Sequence, residues 1–244
     1  MDEKRQSYTV TINGEAKAYP AGTTFEEIAG AYQKDYPCQI ALAVRNGKIR
    51  ELFKKIDKDC TVEFLTVSDD TGHKTYNRTA TIILMKALND VIGADKIEKI
   101  KMEFAIGNGY YCAIKGDFEL TDDIVAKVKQ KMQEYVDKDI RIIKNSMLLD
   151  EANELFKQQK MTDKVSLFRY RGSSTVNVYN LDGYYDYYYG YMLPSTGYVK
   201  YFDVQKYEDG LVLILPNKNN STVLDVFRPL PKLFKSMEMA SDWG

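Results

Sequence analysis

Residues 7–13, Ser-Tyr-Thr-Val-Thr-Ile-Asn, alternate apolar and polar side chains and end at Asn13-Gly14. Period two marks a half-buried strand and Asn-Gly a tight hairpin turn, so a short return strand follows over about 15–19. Thr24-Phe25-Glu26-Glu27 has the form of a capping box and opens a helix that runs to about Tyr36-Pro37. Ile40–Val44 is a continuous apolar strand, Asn46-Gly47 a second tight turn into Lys48–Leu52, Asp57-Lys58-Asp59 a further turn, and Thr61–Leu65 a last strand. Strand, strand, helix, strand, strand, strand in about 65 residues is a β-grasp, ubiquitin-like plan. It ends near Val67, with Ser68–Gly72 as the linker.

A second unit opens at His73. Ile82, Ile83, Met85, Ala87 and Leu88 fall at helical spacing within 75–90, a strand covers 97–105, Gly107-Asn108-Gly109 is a loop and Tyr110–Ile114 a strand. Thr121 caps a helix carrying Ile124, Val125, Val128, Met132 and Val136. A strand over 141–146 and a short helix capped by Asp150 follow. Residues 175–189 form a hairpin turning at Asp182-Gly183, with strands near 199–204 and 211–215. Pro229 and Pro231 precede a final helix that stops at Trp243-Gly244. The mixture lacks regular βαβ alternation, so the class is α+β.

Between Gly183 and Tyr198 lie seven tyrosines in sixteen residues, with a Pro-Ser-Thr-Gly turn after them. An aliphatic core strand needs no such density of phenols. The run reads as a lined surface, with Tyr187, Tyr189 and Tyr191 on one face of a strand and Tyr188 on the other. Its rings could stack on a base, and a tyrosine-rich packed sheet is the competing reading. Ser195-Thr196-Gly197 could hold an anion through backbone amides or be simply a turn.

Composition narrows the chemistry. The 244 residues are 44% hydrophobic and carry 34 basic and 35 acidic side chains, a net charge of −1, so wholesale electrostatic attraction to nucleic acid is not implied. The basic cluster Lys127, Lys129 and Lys131 is offset by Asp122, Asp123 and Glu134. Cys38, Cys60 and Cys112 are odd in number and widely spaced, which excludes a disulfide framework and a structural zinc site in favour of reduced thiols. The polar Met1–Gln6 is no signal peptide and no apolar run approaches a membrane span, so a cytoplasmic protein is expected. His73 is the one histidine, which excludes a multi-histidine metal site; no metal site is assigned.

Residues Ala43–Leu52 look like the hairpin of a TGS domain, and Gly107-Asn108-Gly109-Tyr110-Tyr111 like the N-G-[FY]-Y turn of the threonyl-tRNA synthetase editing domain. In this order the two units resemble the N-terminal half of that synthetase family, where a TGS domain precedes the editing (second additional) domain. The resemblance implies a TGS-like β-grasp domain over 1–68, an editing-like domain over 73–228 and a C-terminal helix over 229–244. The editing family carries H-x-x-x-H at its first helix and C-x-x-x-H later. Here these become His73-x-x-x-Asn77 and Tyr188-x-x-x-Met192, with Asp186 two residues upstream. Amide, phenol and thioether groups cannot relay protons as imidazole does, so hydrolysis by the family mechanism is not expected.

Tyr76-x-Arg78-Thr79, Tyr189-Gly190 with Leu193–Gly197, and Phe202-Asp203 with Gly210–Leu213 carry a closer resemblance, to bacterial uridine or nucleoside kinases with the same pair of domains ahead of a P-loop kinase. The P-loop signature G-x-x-x-x-G-K-[ST] is not present in this chain. The resemblance implies a non-catalytic accessory region whose parent is an ATP-dependent phosphotransferase. Its partner would be its own C-terminal kinase domain, ATP and magnesium would belong to that absent domain, and no cofactor would sit in this chain. A nucleoside or RNA ligand would meet Asn77, Arg78, Tyr110, Tyr188, Tyr189, Tyr191, Ser195 and Thr196. Two alternatives stand beside this: an aminoacyl-tRNA or related ester hydrolase using His73 and Asp186, and a tRNA-binding module without chemistry.

Overall fold

The computed structural model describes residues 6–159, 161–168 and 174–241. Most of the polar N-terminal stretch and the stop at Trp243-Gly244 lie outside the described residues. Two compact units divide the α+β chain: one holds the chain up to Thr79 together with Gly190–Pro194, the other holds Ala80–Tyr189 and the chain from Ser195 on.

The first unit contains β1 (Ser7–Ile12), β2 (Glu15–Pro20), α1 (Phe25–Tyr32), a 3-10 turn (Gln33–Asp35), β3 (Ile40–Arg45), β4 (Lys48–Glu51) and β5 (Cys60–Thr66). They form a sheet of order β2-β1-β5-β3-β4 in which β1 and β5 run parallel and the other pairs antiparallel. Both hairpins turn on Asn-Gly pairs with positive φ at each residue, 52° and 85° at Asn13-Gly14 and 47° and 75° at Asn46-Gly47, the mirror-image turn whose twist matches that of paired strands. The alternation sorts the side chains: Val10, Ile12 and Val62 are buried, while Thr9, Thr61 and Glu63 face water. Phe25, Ile28 and Ala29 of α1 complete the core.

The capping box forms. Glu27 N donates to Thr24 Oγ1 at 3.2 Å and Thr24 N to Glu27 Oε2 at 2.6 Å. These bonds, first from the Thr24 backbone and then from its hydroxyl, hold the Glu27 carboxyl below its ordinary range. Thr24→Ala is expected to cost about 1 kcal/mol in urea unfolding. The Glu27 share of this stability is present above the ordinary carboxylate pKa and lost as pH falls through the lowered one.

Ser68–Gly72 is not a linker. Asp69 Oδ2 accepts from Thr66 N at 2.7 Å and from Thr66 Oγ1 at 2.9 Å, and Asp69 O accepts from His73 N at 2.7 Å. The last of these bonds opens α2 at Asp70, and it runs 23 residues to Ile92.

The second unit takes the remainder of α2 and then β6 (Ile97–Ile106), β7 (Gly109–Gly116), α3 (Asp122–Lys138), β8 (Ile142–Leu148), α4 (Leu149–Gln158), α5 (Thr162–Phe168), β9 (Thr175–Leu181), β10 (Tyr184–Asp186), a 3-10 turn (Thr196–Tyr198), β11 (Asp203–Tyr207), β12 (Gly210–Ile214) and α6 (Pro231–Ser241). Two antiparallel sheets result, β11-β12-β7-β6 and β10-β9-β8. One face of the first is closed by Phe227 and Phe234, whose rings meet Tyr207 and Tyr111 edge-on at 5.3 and 4.8 Å. The second packs Val176 and Val178 against Ala152, Phe156 and Phe168.

Three expectations shift here. The helix after β8 begins at Leu149, because the Glu151 carboxylate, not Asp150, reaches back to Leu148 N at 3.2 Å. The strand expected near 199–204 lies at 203–207, since Thr196–Tyr198 winds into a 3-10 turn. The tyrosine strand stops at Asp186, because Tyr187 N turns onto the Asp186 carboxylate at 2.7 Å instead of continuing the ladder. Among the described residues no helix is long and apolar enough to cross a membrane.

Candidate functional site

In the first unit the segment Gly190–Pro194 is tied to α2 by side chains that sequence reasoning only partly identified. Arg78 Nη1 donates to Tyr191 O at 3.1 Å. Gly190, at φ 131°, lies so close beneath the guanidinium that a Cβ there would be 2.5 Å from Arg78 Cζ. One residue on, the Thr79 hydroxyl donates to Thr75 O at 2.8 Å and accepts from Leu193 N at 3.0 Å. The Met192 sulfur lies 3.8 Å from the same hydroxyl, and Met192 is fully buried. The buried Glu51 carboxylate accepts from Met192 N at 3.2 Å. Arg78 and Thr79 therefore act on the main chain of the segment and fix its path. His73 and Asn77 are half-buried on α2, His73 in the first turn, and the Asn77 amide oxygen is shielded from solvent. Tyr191 is half-buried.

In the second unit Asp186 is 4% exposed and lies 3.2 Å from Lys164 Nζ. The buried Tyr188 hydroxyl faces the same carboxylate, and the Lys164 ammonium sits 5.5 Å from the centre of the Tyr188 ring. Burial is the largest influence on Asp186 and raises its pKa; the Lys164 charge and the bonds from Tyr188 and Tyr187 N oppose it without cancelling it. Tyr188 is pushed well above the ordinary phenol range, by burial first and by the neighbouring carboxylate second. Gln159 clamps the adjacent residue: its Nε2 donates to Tyr185 O at 2.6 Å and its Oε1 accepts from Tyr185 N at 3.1 Å.

The Ser-Thr-Gly turn in this unit is occupied by the protein itself. Asp139, the left-handed residue at the end of α3 (φ 49°), accepts from the Ser195 hydroxyl and from Gly197 N, the latter at 3.0 Å. Thr196 N donates to Ile140 O at 2.9 Å, Ile140 N to Thr196 Oγ1 at 2.8 Å, and the Thr196 hydroxyl to Tyr135 O.

The tyrosines separate by role. Tyr185 and Tyr187 pack on the Phe156–Phe168 cluster, Tyr187 edge-on to Phe168 at 5.1 Å. Tyr189 is 85% exposed. Tyr110 is half-buried on β7 between Ala105 and Leu213. On α3 each lysine of the basic cluster has an acidic neighbour: Lys127 with Asp123 at 2.6 Å, Lys129 with Asp203 at 2.6 Å and Lys131 with Glu134 at 2.7 Å. Among the described residues no three His, Cys, Asp or Glu side chains converge as metal ligands would. Cys60 and Cys112 are buried and their thiols are pushed up by burial.

Lys164, Asp139, Glu51 and Gln159 escaped the sequence reading, and Thr79 entered it only within Tyr76-x-Arg78-Thr79. Each meets a partner across at least 26 residues of chain, except Lys164, which lies 22 positions before Asp186. No local pattern marks such pairs.

No family model matches the chain. It is similar to threonine–tRNA ligases: 30% identical over 196 residues to that of Thermotoga maritima, covering 78% of this chain and 29% of the relative. The ligase of Clostridium kluyveri is 31% identical over 159 residues, covering 65% and 24%, and that of Petrotoga mobilis 31% over 186 residues, covering 74% and 28%. The chain thus spans under a third of the length of these curated relatives. These matches overturn the expectation of a uridine or nucleoside kinase parent. The phosphotransferase activity, the kinase domain as partner and the accessory role within a kinase go with it, because the relatives over this region are ligases.

Proposed function

We propose that this chain is an aminoacyl-tRNA recognition module, a TGS-like β-grasp domain (1–68) followed by an editing-like domain (73–228) and a C-terminal segment (229–244) that contains α6. Similarity to threonine–tRNA ligases over 78% of the chain supports the tRNA assignment. The sheet order β2-β1-β5-β3-β4 supports the β-grasp reading. One observation carries the non-hydrolytic character. Of the positions where the resembling editing family holds imidazoles and a thiol, Met192 is buried against Thr79 and the Tyr188 hydroxyl is buried facing Asp186. Neither is placed to take a proton from water near neutral pH. His73 alone keeps an imidazole.

Tyr189, with its ring in solvent, is the residue we assign to stacking on an unpaired base of the tRNA. Binding of purified chain to charged and uncharged tRNA, measured over a salt series, tests the reading. Affinity should fall steeply with salt, and Tyr189→Ala should weaken it by about 5- to 150-fold, the range of one lost base–aromatic stack. The ester of the bound aminoacyl-tRNA should hydrolyse no faster than in buffer. Absence of binding at low salt would refute the module, and hydrolysis that disappears in His73→Ala would make it an editing enzyme instead.

A further inference from the structure

An exposed sheet edge offers unpaired main-chain groups to any passing strand, and proteins blunt such edges. Among the described residues five of the six edge strands are blunted. β2 is charged at Glu15 and Lys17 and ends in Pro20; β4 has four residues, two of them basic. β6 breaks register twice and carries Glu98, Lys99, Lys101 and Glu103. β11 is short and holds Asp203 in an ion pair with Lys129. β10 has three residues, and the Gln159 amide occupies the main chain of its middle one.

Among the described residues β8 shows none of these devices between Ile142 and Met147. Its seven residues pair with β9 in unbroken register, without proline or bulge. Ile143 and Leu148 are 53% and 54% exposed. Its one charge, Lys144, is folded back over the Tyr179 ring of its own sheet at 5.3 Å. Among the described residues its two ends are covered, where Arg141 bridges Ser195 and the Glu151 carboxylate accepts from Leu148 N at 3.2 Å.

We propose that β8 is a dimerisation edge that pairs antiparallel with β8 of a second copy of this chain. The strand is complementary to itself. A twofold axis perpendicular to the sheet keeps the faces of both strands aligned. Centred on Asn145, it sets Ile143 beside Met147 of the second copy, Lys144 beside Ser146 and Asn145 beside Asn145. Apolar meets apolar and no like charges oppose each other, a match that an unrelated strand would not bring.

Sedimentation velocity of the full chain over a concentration series tests this. A monomer–dimer equilibrium is expected. Ser146→Lys, at an exposed position, places two symmetric lysine pairs across the edge and should weaken the dimer by about 2- to 30-fold; Ser146→Glu should tighten it by a similar factor. A monomer at every concentration up to about 1 mM, or a dimer that responds equally to both substitutions, overturns the proposal. Dimerisation that is lost with lysine and kept with glutamate establishes both the edge and its register.

Discussion

Gly72→Ala is expected to destabilise the first unit by about 3 kcal/mol, although alanine is the better helix former by about 1 kcal/mol. A Cβ at position 72 would lie 1.9 Å from the Thr66 carbonyl oxygen and 2.8 Å from its carbon, both main-chain atoms. No rotamer change relieves that contact. The first turn of α2 would have to move off the end of β5, away from the Asp69 side chain that bonds Thr66. Helix propensity and close approach therefore predict opposite signs, and the shift of the urea midpoint decides between them. A neutral or stabilised Gly72→Ala protein would show that α2 does not pass so near Thr66.

The second large effect concerns Asp186. Lys164→Met removes the cation 3.2 Å from a buried carboxylate and is expected to cost about 3–5 kcal/mol near neutral pH, the usual consequence of leaving one member of a buried pair alone. The pH dependence identifies the cause. Burial already raises the Asp186 pKa above the unfolded value of 3.8, so the native state holds a proton where the unfolded chain has released it. Stability from this group is fully present below the unfolded pKa and is lost as pH rises through the raised one. Without Lys164 the folded pKa climbs further. The deficit of Lys164→Met should therefore be largest above that pKa and shrink toward acid, and Asp186→Asn in the same background should remove most of it. Chemical denaturation of the three proteins from pH 4 upward supplies the comparison. A deficit independent of pH would assign the loss to packing of the lysine stem on Tyr188.

What the sequence disclosed was local. Asn13-Gly14, Asn46-Gly47 and Asp182-Gly183 fixed three hairpins, and Thr24 and Thr121 fixed two helix starts, because turn and cap chemistry is decided within four residues. Asp69 misled: its neighbours Ser68, Asp70, Thr71 and Gly72 have a linker's composition, yet its side chain holds Thr66, its main-chain carbonyl accepts the first helical bond, and Gly72 serves close packing. The tyrosine run misled differently. Alternation foretold a lined face, but Asp186 captures the next amide, the strand ends, and the rings divide between core and solvent. The sets around Arg78 and Asp186 join residues far apart in the chain, and no periodicity records such pairings.

The Pro-Ser-Thr-Gly loop has the donors of an anion cradle, and Asp139 already rests in it. A tethered carboxylate competes with any free anion at an effective concentration in the millimolar range or above, so the loop's donors are satisfied from within the protein. The loop spends its donors on holding the end of α3.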